Sequence, residues 1–222
     1  MIFGRVFALV VVAAPVAWQG ESVVAVTRAV AHSVQTDTVP RGFTDADTRF
    51  MQGMIIHHAQ ALVMADLLRT RSGSDRMHLL GERITVSQQD EIAMMRHWLE
   101  DRRQTAPFVQ TKYMAHDTTG MSHDMERHMA LMPGMLTSAQ LTQLANANGP
   151  EFDRLFLVGM IRHHEGALTM VSALFSSKGA GQESQIFGFA SDVDSEQRAE
   201  IARMHGMLKT MASTTPMRKR PK

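Results

Sequence analysis

The sequence predicts an all-α protein, an antiparallel four-helix bundle made from two duplicated helical hairpins joined by a long Met/His-rich crossover. Three observations predict it. The segment Phe50 to Met64 returns as Phe156 to Met170 at a constant offset of 106 residues, and Asp47 maps onto Asp153. A fainter match follows each copy: Ile84, Gln88, Glu91, Ile92 and Met95 return as Val193, Gln197, Glu200, Ile201 and Met204, at an offset of 109. Two ordered matches with consistent offsets mark an internal duplication, with a longer loop in the second copy. Apolar side chains recur every three or four residues through both copies, the spacing of one helix face. Finally, aromatic content is only 6%, and 15 Gly and 7 Pro in 222 residues are too few for a turn-rich β-sandwich.

The elements follow in order. Residues 1–31 read as a secretory signal peptide. Arg5 precedes an apolar run from Val6 to Val16, too short to span a bilayer comfortably, and Ala29-Val30-Ala31 has the small-x-small form of a cleavage site. Ala25 offers a second cleavage position, and an uncleaved N-terminal anchor is the alternative reading. Residues 32–42 are a linker. Thr44 is a good N-cap for a first helix that runs to Arg71 and stops at Ser72-Gly73-Ser74-Asp75. A second helix covers about Arg76 to Arg103, with Pro107 just beyond, so repeat one spans 43–104. The crossover, 105–148, holds one short helix at about Ser138 to Ala147 under a Thr137 cap. Gly149-Pro150 opens the third long helix, which ends near Lys178-Gly179, and the last covers about Gln182 to Met211, so repeat two spans 149–212. Residues 213–222 form a basic, solvated tail with four positive charges after Pro216.

Composition narrows the chemistry. With 23 basic against 22 acidic side chains the net charge is +1, which excludes a protein that depends on electrostatic attraction to nucleic acid. The chain has 19 Met, 11 His and no Cys. Export would permit disulfides, yet none can form, so the core must suffice alone. An excess of Met has two explanations, a soft adaptable core or a soft-metal site.

Position decides where to look. A seam on the first helix collects Asp47, Phe50, Met51, Met54, His57, His58, Ala61, Met64, Ala65 and Leu68. The second copy collects Asp153, Phe156, Leu157, Met160, His163, His164, Ala167, Met170, Val171 and Leu174. Both His pairs therefore lie within the apolar stripe. The partner helices bring Ile84, Gln88, Glu91, Met95 and Trp98, matched by Val193, Gln197, Glu200, Met204 and Met207. A hairpin centred near Ser74 sets His57 opposite Glu91 and Met54 nearly opposite Met95; one centred near Ala180 sets His163 opposite Gln197, a turn from Glu200.

Two readings fit this layer. In one, Glu and Gln satisfy buried His and fix the helix register. In the other, Met54, His57, His58, Met64 and Met95, with Met160, His163, His164, Met170 and Met204, ligate a metal, and Asp47, Gln88, Glu91, Asp153, Gln197 and Glu200 support those ligands. The crossover adds independent weight to the second reading. Met114, His116, Met121, His123, Met125, His128 and Met129, followed by Met132 and Met135, crowd into a polar stretch where packing gives Met no obvious role. Thioether and imidazole together select Cu(I), with Ag(I) as its mimic, and imidazole also accepts Cu(II). Neutral Met ligands need no deprotonation and survive where a thiol would be oxidised.

The paired blocks Phe50 to His58 and Phe156 to His164, of the form F-x-x-x-M-I-x-H-H, resemble the domain of unknown function 305 family. So do Gln88-x-x-Glu91-Ile92-x-x-Met95-x-x-Trp98-Leu99, Met132-Pro133-Gly134-Met135-Leu136 and Gly149-x-x-Phe152-Asp153, and the likeness spans about residues 43–211. The resemblance implies a ferritin-like bundle exported in bacteria, with some relatives implicated in periplasmic copper binding. The copies depart from each other at Ala59-Gln60 against Glu165-Gly166, and at His97 against Gly206.

Enzyme signatures are missing. Glu91 and Glu200 are followed three residues on by Met94 and Arg203, not the His of a di-iron Glu-x-x-His site, and Leu168 stands where a zincin needs its second His. The expectation is an exported, periplasmic copper-binding protein that buffers, sequesters or delivers the ion, exchanging it with another exported copper protein. It does not bind nucleic acid, and it touches a membrane only if the N-terminal segment stays uncleaved. The alternatives are a structural or partner-binding bundle with Met as core filler, and a metal-dependent oxidase using Glu91 or Glu200 as base.

Overall fold

A computed structural model of the chain describes residues 42–112 and 132–214. The predicted signal peptide and nearly all of the linker lie outside the described residues, as do most of the basic tail and the crossover positions Met114, His116, Met121, His123, Met125, His128 and Met129. The described residues form five helices and no strands: α1 (Asp45–Arg71), α2 (Asp75–Asp101), α3 (Ser138–Asn146), α4 (Gly149–Ser176) and α5 (Ser184–Thr214). None of these helices is long and apolar enough to cross a membrane.

The helix ends follow from local chemistry. Thr44 and Asp47 form a capping box: the Thr44 hydroxyl accepts from the Asp47 amide at 3.2 Å, and the Asp47 carboxylate accepts from the Thr44 amide at 2.7 Å. These bonds satisfy two donors that a helix start leaves open. Ser74 caps α2 through the Met77 amide, so α2 begins one residue before the predicted Arg76. It ends at Asp101 rather than Arg103, because Arg103 turns into the left-handed region at φ 54°. The Thr137 cap of α3 is as predicted, with Gln140 closing its box. α4 stops at Ser176, before the predicted Lys178, and α5 runs from Ser184 to Thr214 instead of Gln182 to Met211. The α4–α5 turn, with Gly179 and Gly181 both at positive φ, is thus longer than predicted.

α1 packs along α2 and α4 along α5, and the two hairpins meet chiefly through α1 against α4, with α3 leaning on both of these. The repeat is visible in the packing. A Cβ added at Gly53 would lie 3.4 Å from the Met170 methyl, and one added at Gly159 would lie 3.3 Å from the Met64 methyl. Those two contacts are the same contact made twice, 106 residues apart, so each glycine opens a notch in one central helix for a thioether of the other.

Two apolar clusters fill the interior. One gathers Met64, Leu68, Met77, Phe152, Phe156, Met160 and Met204, and the other Phe50, Met54, Met95, Trp98, Val171, Ile186 and Phe189. Along both central helices the His pairs fall between the positions that feed the two clusters, so a polar layer divides the core.

Candidate metal centre

His57, His58, His163 and His164 are each at most 1% exposed. Successive residues on a helix point about 100° apart, so neighbouring imidazoles in one pair aim at different helices. His57 and His163 aim across the α1–α4 contact and stack with ring centroids 3.8 Å apart. His58 and His164 aim instead at the partner helix of their own hairpin, where His58 bonds Glu91 and His164 bonds Glu200 at 2.5 Å. This corrects the predicted register in both hairpins. Glu91 meets His58 rather than His57, and the second pair is His164–Glu200 rather than His163–Gln197. Facing numbers give the height of a residue but not its azimuth, and the longer α4–α5 turn shifts the second hairpin further.

Each ring uses Nε2 as a donor. His57 Nε2 donates to the Pro133 carbonyl at 3.1 Å and His163 Nε2 to the His57 carbonyl at 3.0 Å. A carbonyl can only accept, so both rings carry their proton on Nε2. Burial, chiefly, and then the neighbouring His58 and His164 rings push His57 down from 6.5 to about 3, against the Pro133 bond. Burial and then His57, His164 and His58 likewise hold His163 well below 6.5. Both are neutral at physiological pH, and each Nδ1 presents a lone pair. Nδ1 of His57, His58 and His164 is buried without a hydrogen-bond partner. A donor aimed at carboxylate or carbonyl by one nitrogen, with the other nitrogen open, is the arrangement that orients imidazole for a metal.

Outside the rings the layer stays polar. Burial opposes ionisation of Glu91, but its bond to His58, the attraction of that ring and the Ser87 hydroxyl outweigh it, so the carboxyl lies below 4.5. Ser87 Oγ is 3.0 Å from Glu91 Oε1 and 3.2 Å from Glu196 Oε2. Burial and the adjacent Glu91 raise Glu196 above 4.5. Gln88 and Gln197 are buried on the same faces, and Gln197 Oε1 has no partner.

The thioethers divide. Met54, Met95, Met160 and Met204 are fully buried, the first two in the cluster on one side of the His layer and the other two in the cluster on the opposite side. Met64 and Met170 sit seven residues from their His, about 10 Å of helix rise, with their methyls over Gly159 and Gly53. Asp47 and Asp153 stand ten residues from the nearest His of their copy, about 15 Å along the axis. Asp47 is committed there to the α1 cap and to the Gly181 amide at 2.7 Å. The structure does not bring these four to the His layer. Among the described residues no group of three or more His, Asp and Glu side chains forms a preformed cage for a metal ion.

Sequence reasoning missed the strap over the layer. Gln60 binds the Leu136 backbone twice, accepting from its amide at 2.7 Å and donating to its carbonyl at 2.9 Å. At the equivalent position of the second copy, Gly166 lies so close to the crossover that an added Cβ would be 2.0 Å from the Pro133 oxygen. The signal was present as the departure of Gln60 from Gly166. The crossover passes the pseudo-symmetric helices once, so one copy needs an amide clamp and the other needs empty space. His97, by contrast, is exposed beside Asp101 and takes no part in the layer.

The sequence pattern of the family described as Domain of unknown function (DUF305) matches residues 47–208. Among solved structures, a DUF305 fragment from Deinococcus radiodurans is 27% identical with a TM-score of 0.61, covering 76% of this chain and 98% of that one. A DUF305 protein of Streptomyces coelicolor, named as secreted, is 25% identical with a TM-score of 0.59, covering 75% and 94%. CopM in its Cu(I)-bound form is 24% identical with a TM-score of 0.52, covering 74% and 96%, a likeness of fold. No curated protein matches the chain.

Proposed function

The chain belongs to the DUF305 family, and on that premise we propose that it is an exported copper-binding protein that buffers, sequesters or delivers the ion. Its four long helices are read as a ferritin-like antiparallel bundle, in which α1 and α4 are the central pair. The observation that carries the proposal is the set of buried imidazoles fixed through Nε2, three of them with an unpartnered Nδ1. His57, His58, His163 and His164 are the assigned nitrogen ligands, and Met54, Met95, Met160 and Met204 the adjacent thioethers. Neutral nitrogen and sulfur donors suit Cu(I) and require no proton release from the thioethers. Glu91 and Glu200 orient the outer rings. CopM, of similar fold, has been solved with Cu(I), Cu(II) and silver. The Met/His-rich crossover, including Met114, His116, Met121, His123, Met125, His128 and Met129, is assigned the capture of the ion. Export is supported by the apolar N-terminal run and by the secreted relative.

The test is anaerobic Cu(I) titration against a competing chelator, with wild type compared to H57A/H58A/H163A/H164A. The wild type should compete and the variant should lose the tight component, keeping only binding at the crossover. Equal affinity would overturn the His-layer site. A second reading has its own observation: the His58–Glu91 and His164–Glu200 pairs tie each hairpin together through a polar contact that fixes helix register without a metal. On that reading the wild type binds no copper at the layer, and the variant differs only in stability.

A further inference from the structure

A cavity of about 280 Å³ lies at the end of the molecule where α2 and α4 begin, between Ser74, Met77, Asp153 and the last turns of α5. Three thioethers line it, Met77 and Met207 from the buried core and Met211 at its edge. Asp153 also lines it, is only 7% exposed, and its Oδ1 is buried without a hydrogen-bond partner. Burying a carboxylate oxygen without a partner is unfavourable, so this one asks for a donor or a cation.

The duplication says what is missing. Asp47, the counterpart of Asp153, turns its Oδ1 to the Gly181 amide of the opposite hairpin turn. The equivalent turn gives Asp153 Oδ1 no such bond: the Ser72 amide donates to the Leu68 carbonyl at 3.2 Å and the Ser74 amide to the Ser72 hydroxyl at 3.1 Å. The first copy thus closes its end with a backbone contact, and the second leaves a carboxylate facing a Met-lined cavity. Thioether sulfur is a soft neutral donor and selects soft ions over hard ones. One carboxylate balances one positive charge, and Arg76 at the rim adds a charge that disfavours a divalent ion.

We propose that this end cavity is a separate soft-cation site, holding one monovalent ion such as Cu(I) or Ag(I) between the Asp153 carboxylate and the sulfurs of Met77, Met207 and Met211. It stands about 15 Å along α4 from His163 and does not depend on the His layer.

The experiment titrates Ag(I) into the full chain carrying 13C-labelled Met methyls, with resonances assigned by single Met→Leu variants. The Met77, Met207 and Met211 methyls should shift together within the first few equivalents, also in H57A/H58A/H163A/H164A. Asp153→Asn should weaken that joint response by about tenfold or more, since it removes the charge that balances the ion and loss of even a supporting carboxylate costs a metal site that much. In native mass spectra M77L/M207L should carry one Ag(I) fewer than wild type. If those three methyls stay still while others move, the cavity holds only water and the site does not exist. Failure of the His layer reads differently, as silence of the Met54, Met95, Met160 and Met204 methyls, so the two assignments fall independently.

Discussion

At the scale of single residues, the two His of each pair do different work because a helix separates neighbours by about 100°. The inner rings stack across the α1–α4 contact, and the outer rings are held by carboxylates. The apolar stripe containing all four was legible in the sequence, since periodicity reports which face is buried. The partner of each ring was not, since azimuth and turn length decide it. On the proposed function the Glu91 bond has a measurable consequence for metal binding. Glu91→Gln keeps an acceptor for His58 Nε2 but removes the carboxylate charge from the bond that orients the ring. Copper affinity should fall by about 10–100-fold, read by chelator competition, with a folded circular dichroism spectrum. Unchanged affinity would confine Glu91 to a structural role. Glu200→Gln should behave alike, because the pair it makes is the repeat-related one.

At the scale of elements, the crossover is locked where it passes α1 and α4. Gly134 has φ 77°, and an added Cβ there would lie 2.3 Å from the Arg162 oxygen. Gly166→Ala would drive its Cβ to 2.0 Å from the Pro133 oxygen, a backbone atom that cannot swing aside. Either substitution should cost at least about 1–3 kcal/mol, the penalty of an overpacked interior. Urea midpoints measure it, and a neutral Gly166→Ala would mean the strap is not seated there. Gly188 and Gly206, with nothing within 4 Å of an added Cβ, are the contrast. Alanine at either should be neutral or stabilise by up to about 1 kcal/mol, as helix propensity dictates. The helices and their caps were legible because Thr44, Thr137 and the serine turn act within a few residues. The strap was not, because its clash partners are some thirty residues apart and follow no period.

At the scale of the molecule, duplication sets two hairpins about a shared pair of central helices, and places a layer of buried His between two apolar clusters. That arrangement couples stability to pH. His57 is held down at about 3 and His163 well below 6.5, whereas both titrate near 6.5 in the unfolded chain. Between those limits the unfolded state binds protons that the native state refuses, so unfolding becomes easier as pH falls. The loss begins below about 6.5 and grows by about 1.4 kcal/mol per pH unit for each ring that stays neutral. Above 6.5 these two rings add no slope. Urea midpoints of the metal-free protein should therefore fall steadily from pH 7 to pH 4. H57Q/H163Q, which keeps polar side chains without a titrating ring, should flatten that slope even if its midpoint at pH 7 is lower. A wild-type slope no steeper than that of the variant would show that the layer is protonated or hydrated in solution. On the proposed function, copper held at Nδ1 would stabilise the native state by mass action, so saturating Cu(I) should raise the whole curve and move the onset of the acid loss to lower pH, where protons at last compete with the metal for the same lone pairs.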